Sequence, residues 1–289
     1  MDAFDWIIDP FRMQLMQYAL AAVLIAAVGC AALGVQVVLR RMSFMGDAMA
    51  HATLPGVVMS FLLGWNLLVG ALGAALLAAL GIAWASRSGK VNEDSAIGIL
   101  YTGMFALGVV LLNRIGSYRD LTHVLLGNPM GVTDQDLWIM AAVVGVICLG
   151  LFLMRRELAI TLIDPQYARS IGVSPGLMRA LVLIGCACTV VIAIRVVGVI
   201  LTAALIITPA ASARLLASSL AGTTAIAVTI ACVGCVVGMI ASYHWHLAMG
   251  ATMVLSITSI FVILRIIVAL PRLRGSSRRP PLPPVSSAQ

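Results

Sequence analysis

Residues 177–216 read LMRALVLIGCACTVVIAIRVVGVILTAALIITPAASARLL, forty positions whose only charges are Arg179, Arg195 and Arg214. A hydrocarbon core of about 30 Å takes roughly 20 helical residues, so this run can cross a bilayer twice. Only Arg195 and Gly198 mark a turn inside it. If the chain folds back there, every later segment keeps its side. If the run is one bent crossing, everything after it is inverted.

The rest of the chain has the same character. Of 289 residues, 62% are hydrophobic and 10% charged, whereas soluble domains carry about 45–50% and about 25%. That excludes a water-soluble globular enzyme, a coiled coil and a disordered chain, and predicts an all-α, polytopic transmembrane helix bundle. Apolar stretches of spanning length fall at 17–39, 44–64, 66–85, 96–113, 135–154, 177–195, 196–216, 220–241 and 248–270. The expectation is nine spans, or eight if 177–216 is a single bent one. Charge decides between them. With nine spans and the N-terminus outside, the cytoplasmic side receives Arg40, Arg41, Arg87, Lys90, Arg155, Arg156, Arg169, Arg179, Arg214, Arg265, Arg272, Arg274, Arg278 and Arg279. The outside receives Arg12, Arg114, Arg119 and Arg195. This is the positive-inside bias. Without the hairpin, Arg214 and the basic C-terminus would lie outside, so nine spans and a cytoplasmic C-terminus are favoured.

The expected organisation is an extracytoplasmic segment over 1–16, a transmembrane domain over 17–270 with a cytoplasmic region at 155–176, and a disordered cytoplasmic Pro/Ser/Arg-rich tail over 271–289. Asp2, Asp5 and Asp9 precede Arg12, opposite to the basic start of a secretory signal. The net charge of +7 contains one Lys and no polybasic block before the tail, so nucleic acid is not an expected partner. Six cysteines lie inside apolar runs and read as small packing residues before a thiolate site. Gly70 with Ala74, Gly145 with Gly150, and Gly234 with Gly238 are expected to let helices approach closely, as packing in lipid requires.

Asp47 lies inside the expected span 44–64, the other acidic residue inside one being Asp136 at the start of 135–154, and His51 follows Asp47 four residues later. A carboxylate at the bilayer centre costs about 2.5–3.5 kcal/mol on insertion scales, so something must offset it. At i,i+4 both side chains share a helical face. Pro55 has no N–H, which releases the carbonyl of His51 and predicts a helix break; Pro209 is a second expected break. Carboxylate, imidazole and carbonyl suit a transition metal held briefly. The same pair also reads as a hydrogen-bonded structural contact, and spacing alone leaves both open.

On the cytoplasmic side, Asp164 and Pro165 read as an N-cap and first helical residue, with a short helix over 165–171 stopped at Gly172. Such a helix between spans is either a docking element or an inert turn. No Gly-x-x-x-x-Gly-Lys-[Ser/Thr] loop occurs, since Trp84 stands where Gly89-Lys90 would need the first glycine. ATP, if used, binds another chain.

Four collinear stretches now resemble one family: Gly46-Asp-Ala-Met-Ala-His-Ala-Thr-Leu-Pro-Gly56, Glu93-Asp-Ser-Ala-Ile-Gly-Ile99, Asp164-Pro-Gln-Tyr-Ala-Arg-Ser-Ile-Gly-Val173, and Val197 to Ala213. They are similar to the integral membrane permeases of ATP-binding-cassette importers for zinc, manganese or ferrous iron, over roughly residues 15–270. The resemblance implies that Asp47 and His51 are transient metal ligands. It also implies that Asp164, Pro165, Tyr167, Arg169, Ile171 and Gly172 belong to the helix coupled to the ATPase. It further implies a permease homodimer, a cytosolic ATPase pair that binds the ATP, an extracytoplasmic metal-binding protein, the cytoplasmic membrane as location, and metal as cargo with no permanent cofactor. One departure is Ser242-Tyr-His-Trp-His-Leu-Ala-Met-Gly-Ala251, where the family has a Leu-Asp-Leu-Pro-like turn. There His244 and His246 are either weak metal contacts at the pore mouth or interfacial polar groups; His123 is similarly ambiguous.

Two other classes fit the sequence less well. An intramembrane hydrolase lacks His-Glu-x-x-His and a second carboxylate beside Asp47. A proton-coupled secondary transporter would use a lone membrane Asp but has no need of the 164–171 helix.

Overall fold

The computed structural model describes residues 9–42, 44–88, 91–113 and 131–275. Among them the chain is helical, with no strand. The helices are α1 (Gln14–Leu39), α2 (Met45–Ala52), α3 (Leu54–Leu63), α4 (Leu67–Ala85), α5 (Glu93–Leu112), α6 (Asp134–Leu153), α7 (Arg155–Ile163), α8 (Pro165–Ser170), α9 (Pro175–Leu216), α10 (Leu220–Trp245) and α11 (Met249–Gly275). Seven of the apolar stretches are long enough to cross a membrane unbroken, and Leu201–Leu216 is a shorter apolar helix. The expected span over 44–64 is in two pieces, which explains its absence from the seven. Thr53 stands between them, its hydroxyl donating to the Ala50 carbonyl at 2.6 Å. Two residues on, Pro55 withholds the N–H that the His51 carbonyl would accept.

Pro209 does not break its helix. Gly198 is the residue inside α9 that departs from helical geometry, at φ 79° and ψ 171°, a region essentially open only to glycine. Proline removes one hydrogen bond, and the helical turns on either side of Pro209 hold without it. At Gly198 the chain doubles back, as packing on α1 shows. A Cβ on Gly185 would lie 3.3 Å from Leu33 Cδ2, while one on the adjacent Gly34 would strike the carbonyl of Ile206. In a straight helix Gly185 and Ile206 would be about 31 Å apart. Both arms of α9 therefore lie along the same stretch of α1.

α1 is the central helix, buried along most of its length between α9, α10 and α6. Close contact is made through small residues, as van der Waals packing in lipid demands. Gly56 on α3 meets Gly70 and Ala74 on α4, and Gly234 and Gly238 on α10 meet Ile257 and Met253 on α11. The expectation fails for Gly145 and Gly150 on α6, which face nothing within 4 Å in this chain. The six thiols are unpaired, with Cys30, Cys186 and Cys235 buried.

The turns gather at two ends. At one, Arg195 pairs with Asp136 at 2.6 Å, and both line a cavity with Trp65 and Asn66. At the other, Arg40 donates to Thr161 at 3.1 Å and Arg179 pairs with Glu93. α11 runs to Gly275, past the expected boundary at 270. Residues 1–8 of the N-terminal segment, His123 and residues 276–289 of the tail lie outside the described residues.

Candidate functional site

Asp47 lies in the first turn of α2 and His51 in its last. Their i,i+4 spacing places Asp47 Oδ1 3.5 Å from His51 Nε2. That is longer than an ordinary N–H···O hydrogen bond of about 2.7–3.2 Å, so the pair is not a closed structural hydrogen bond. Two donors each about 2.1 Å from a tetrahedral metal lie about 3.4 Å apart. The gap thus matches one edge of a metal's coordination shell. The Asp47 side chain is 47% exposed and that of His51 27%, so an ion held there keeps one open side.

The His51 ring is fixed by α5. Tyr101 and Phe105 present ring edges or faces at centroid distances of 5.5 and 5.4 Å, at interplanar angles of 62° and 85°. Edge-to-face packing of this kind orients an imidazole without using its nitrogens. The sequence reading missed both aromatics, because an i,i+4 aromatic pair on an apolar helix does not say what it packs against. No group of three or more His, Cys, Asp or Glu side chains among the described residues is placed to hold a metal. One chain thus brings two candidate ligand side chains, Asp47 and His51, to one place.

The predicted cytoplasmic helix is α8. The Asp164 carboxylate accepts from the backbone N–H groups of Gln166 and Tyr167, both at 2.9 Å. Pro165 opens the helix, and Arg169 in its last turn complements the helix dipole. Gly172 adopts φ +82°. Its N–H reaches the Arg169 carbonyl, while Val173 N–H reaches that of Ala168, the paired bonds of a Schellman stop. The helix ends at Ser170, one residue before the expected limit. Ala168 is buried, but Tyr167 and Ile171 are 56% and 47% exposed. α7 precedes α8 as a separate helix, in a stretch to which the sequence reading assigned no element.

His244 is in the last turn of α10, and His246 caps it with φ 51°. They share a cavity of about 590 Å³ with Met16, Tyr243 and Met249. Met16 and Arg40 sit near opposite ends of α1, about 36 Å apart by helix rise. Gly46, next to Asp47, packs on Ile206, which packs on Gly34, and Gly34 lies about 27 Å along α1 from Met16, so His244 and His246 are apart from Asp47.

The model of the ABC 3 transport family matches residues 12–268. The chain is 38% identical over 262 residues to the "Probable iron transport system membrane protein" of Haemophilus influenzae, covering 90% of this chain and 96% of that one. It is 36% identical over 249 residues to the manganese transport system membrane protein MntC of Listeria monocytogenes, covering 86% and 89%. A solved structure, PsaBC from Streptococcus pneumoniae in complex with Fab, superposes with a TM-score of 0.79 at 34% identity, covering 91% and 95%.

Proposed function

Because the chain belongs to the ABC 3 transport family, we propose that it is the permease subunit of an ATP-driven importer carrying a divalent transition-metal ion inward by alternating access. It is a multi-pass protein of the cytoplasmic membrane. Manganese and iron lead as cargo, because relatives are named for transport of those metals; zinc fits the same donors. The observation that carries the reading is the 3.5 Å gap between Asp47 Oδ1 and His51 Nε2, open on one side and matching a coordination edge.

An ion entering a membrane must shed water, and Asp47 and His51 replace part of that shell. Two protein ligands, with water completing the shell, bind weakly enough to let go. The exposed flank of Asp47 is where a second permease copy would close the path, in keeping with a homodimer. His244 and His246, with Met16 and Met249 beside them, suit a weak contact at the outer mouth, where the metal-binding protein delivers. At the other end Asp164, Pro165, Tyr167, Arg169, Ile171 and Gly172 build the helix that meets a separate ATPase pair.

We count nine crossings, N-terminus outside and C-terminus in the cytoplasm. The folding-back at Gly198 supports the count, as does the collection of Arg40, Arg179 and Thr161 at one end and Arg195 at the other.

The test is ATP-dependent uptake of manganese, iron or zinc into proteoliposomes holding permease, ATPase and binding protein. Asp47→Asn and His51→Ala should each abolish uptake while the complex assembles and binds ATP. Near-normal uptake by Asp47→Asn would overturn the site. Uptake driven by a proton gradient without the ATPase would instead favour a secondary transporter.

A further inference from the structure

α8 rests mainly on its own neighbours, α7 and α9, so any displacement of α8 reaches the bundle through those two helices. Each is tied down by an arginine. α7 is held to the end of α1 by Arg40, whose Nη2 donates to Thr161 Oγ1 at 3.1 Å. α9 is held to the start of α5 by Arg179, whose Nη2 lies 2.6 Å from Glu93 Oε1 and whose Nη1 donates to Ser86 Oγ at 3.3 Å.

The second tie has a continuation. Glu93 is the first residue of α5. Glu93, Ile97, Tyr101 and Phe105 are spaced by four and form one ridge of that helix. Ile97 is buried, and Tyr101 and Phe105 are the rings that set the His51 imidazole. One side of α5 thus carries an ion pair to α9, the helix that follows α8, at its start and the support of His51 two to three turns on.

The electrostatics favour Glu93 as anchor. A carboxylate is stabilised at a helix N-terminus, whereas Arg179 sits near the N-terminus of α9, where a cation is disfavoured. The contact therefore depends on Glu93 to compensate Arg179. The two side chains are 26% and 27% exposed, so neutralising one leaves the other poorly solvated. Among the described residues Arg40 Nε and Arg179 Nε are buried without hydrogen-bond partners, which gives the two arginines spare donors with which to exchange contacts.

We propose that the Arg179–Glu93 ion pair is a positioning contact, carrying movement of the α8 segment along the Glu93–Phe105 ridge of α5 to the His51 side chain. This rests on the reading that α8 meets the ATPase and that Asp47 and His51 pass the metal. The experiment measures metal moved per ATP hydrolysed in proteoliposomes holding the whole importer. Glu93→Gln and Arg179→Gln should each lower that ratio about tenfold, within the usual range of coupling between sites. The double variant should be no worse than either single, because the two residues act as one contact. The swap Glu93→Arg/Arg179→Glu should recover the ratio to within about threefold of the parent.

Parent-like coupling in the single variants would overturn the proposal. So would a swap that assembles normally yet is as uncoupled as the singles. If a single variant fails to assemble, the double, which leaves no unpaired charge, takes its place, and normal coupling there would equally overturn it. Asp47→Asn in the same vesicles separates the two levels. Its loss of uptake beside normal coupling in the Glu93 and Arg179 variants sinks this proposal alone, whereas its normal uptake sinks the metal-site reading.

Discussion

His51 is held by contacts that leave its nitrogens available, and this can be tested apart from the ligands themselves. Phe105→Leu keeps an apolar side chain but removes one ring edge from the imidazole. Such ring contacts are worth about 0.5–1.5 kcal/mol beyond their area, so the metal concentration for half-maximal uptake should rise by roughly two- to tenfold. ATP hydrolysis by the ATPase should be unchanged. A dose–response curve of uptake identical to the parent's would show that the ring does not orient His51. Asp47 and His51 were legible in the sequence because a carboxylate inside an apolar run demands an explanation, and i,i+4 spacing supplies a partner. Tyr101 and Phe105 were not. In an apolar helix an aromatic pair has the same pattern whether it packs against leucine or against an imidazole, and only the approach of α5 to α2 distinguishes them.

At the scale of elements, α8 was the most readable piece, because its two ends are written in residues with one local job each. Asp164 accepts two backbone N–H groups, Pro165 starts the turn, and Gly172 takes the left-handed φ that stops it. A helix so closed at both ends presents a defined face, and Tyr167 and Ile171 are left exposed on it. Tyr167→Ala/Ile171→Ala should reduce metal-coupled ATP hydrolysis by an order of magnitude, since helix-in-groove contacts depend on such anchors. Membrane insertion should stay intact, and full coupling in this double variant would count against α8 as the docking element. The breaks were harder to read. Near Pro55 the helix is interrupted at Thr53, but the backbone there stays helical at φ −72° and ψ −22°, with the Thr53 hydroxyl turned back on the Ala50 carbonyl. Pro209 accompanies no break, since a missing N–H is tolerated where both flanking turns are otherwise bonded. Gly198 is the break in α9, and its φ of 79° with ψ of 171° admits little but glycine. Gly198→Ala should cost about 1–3 kcal/mol, read as a lower unfolding temperature in detergent. Gly103→Ala, in a helix with open space around it, is the control and should change little.

For the whole molecule, length and charge give different views of one topology. Counting unbroken apolar helices finds seven, because the criterion discounts α2 with α3, interrupted at Thr53, and the short second arm of α9. Counting basic residues on each side asks only where the chain re-emerges, so it is blind to those interruptions and arrives at nine. The fold of α9 supports the charge count, since Gly185 and Ile206 meet neighbouring residues of α1. This leads to a measurement that discriminates between the two views. Trp65 and Ser218 are both exposed. With nine crossings, Trp65 is outside and Ser218 is cytoplasmic; with α9 as a single bent crossing, both are outside. The six native cysteines would first be replaced by alanine, and Trp65→Cys and Ser218→Cys introduced one at a time. A membrane-impermeant maleimide added to intact cells should label Trp65→Cys and leave Ser218→Cys unlabelled until the membrane is opened. Labelling of Ser218→Cys from outside would remove the hairpin and invert α10 and α11. His244 and His246 would then be carried to the cytoplasmic face, and with them would go the proposal that they meet incoming metal.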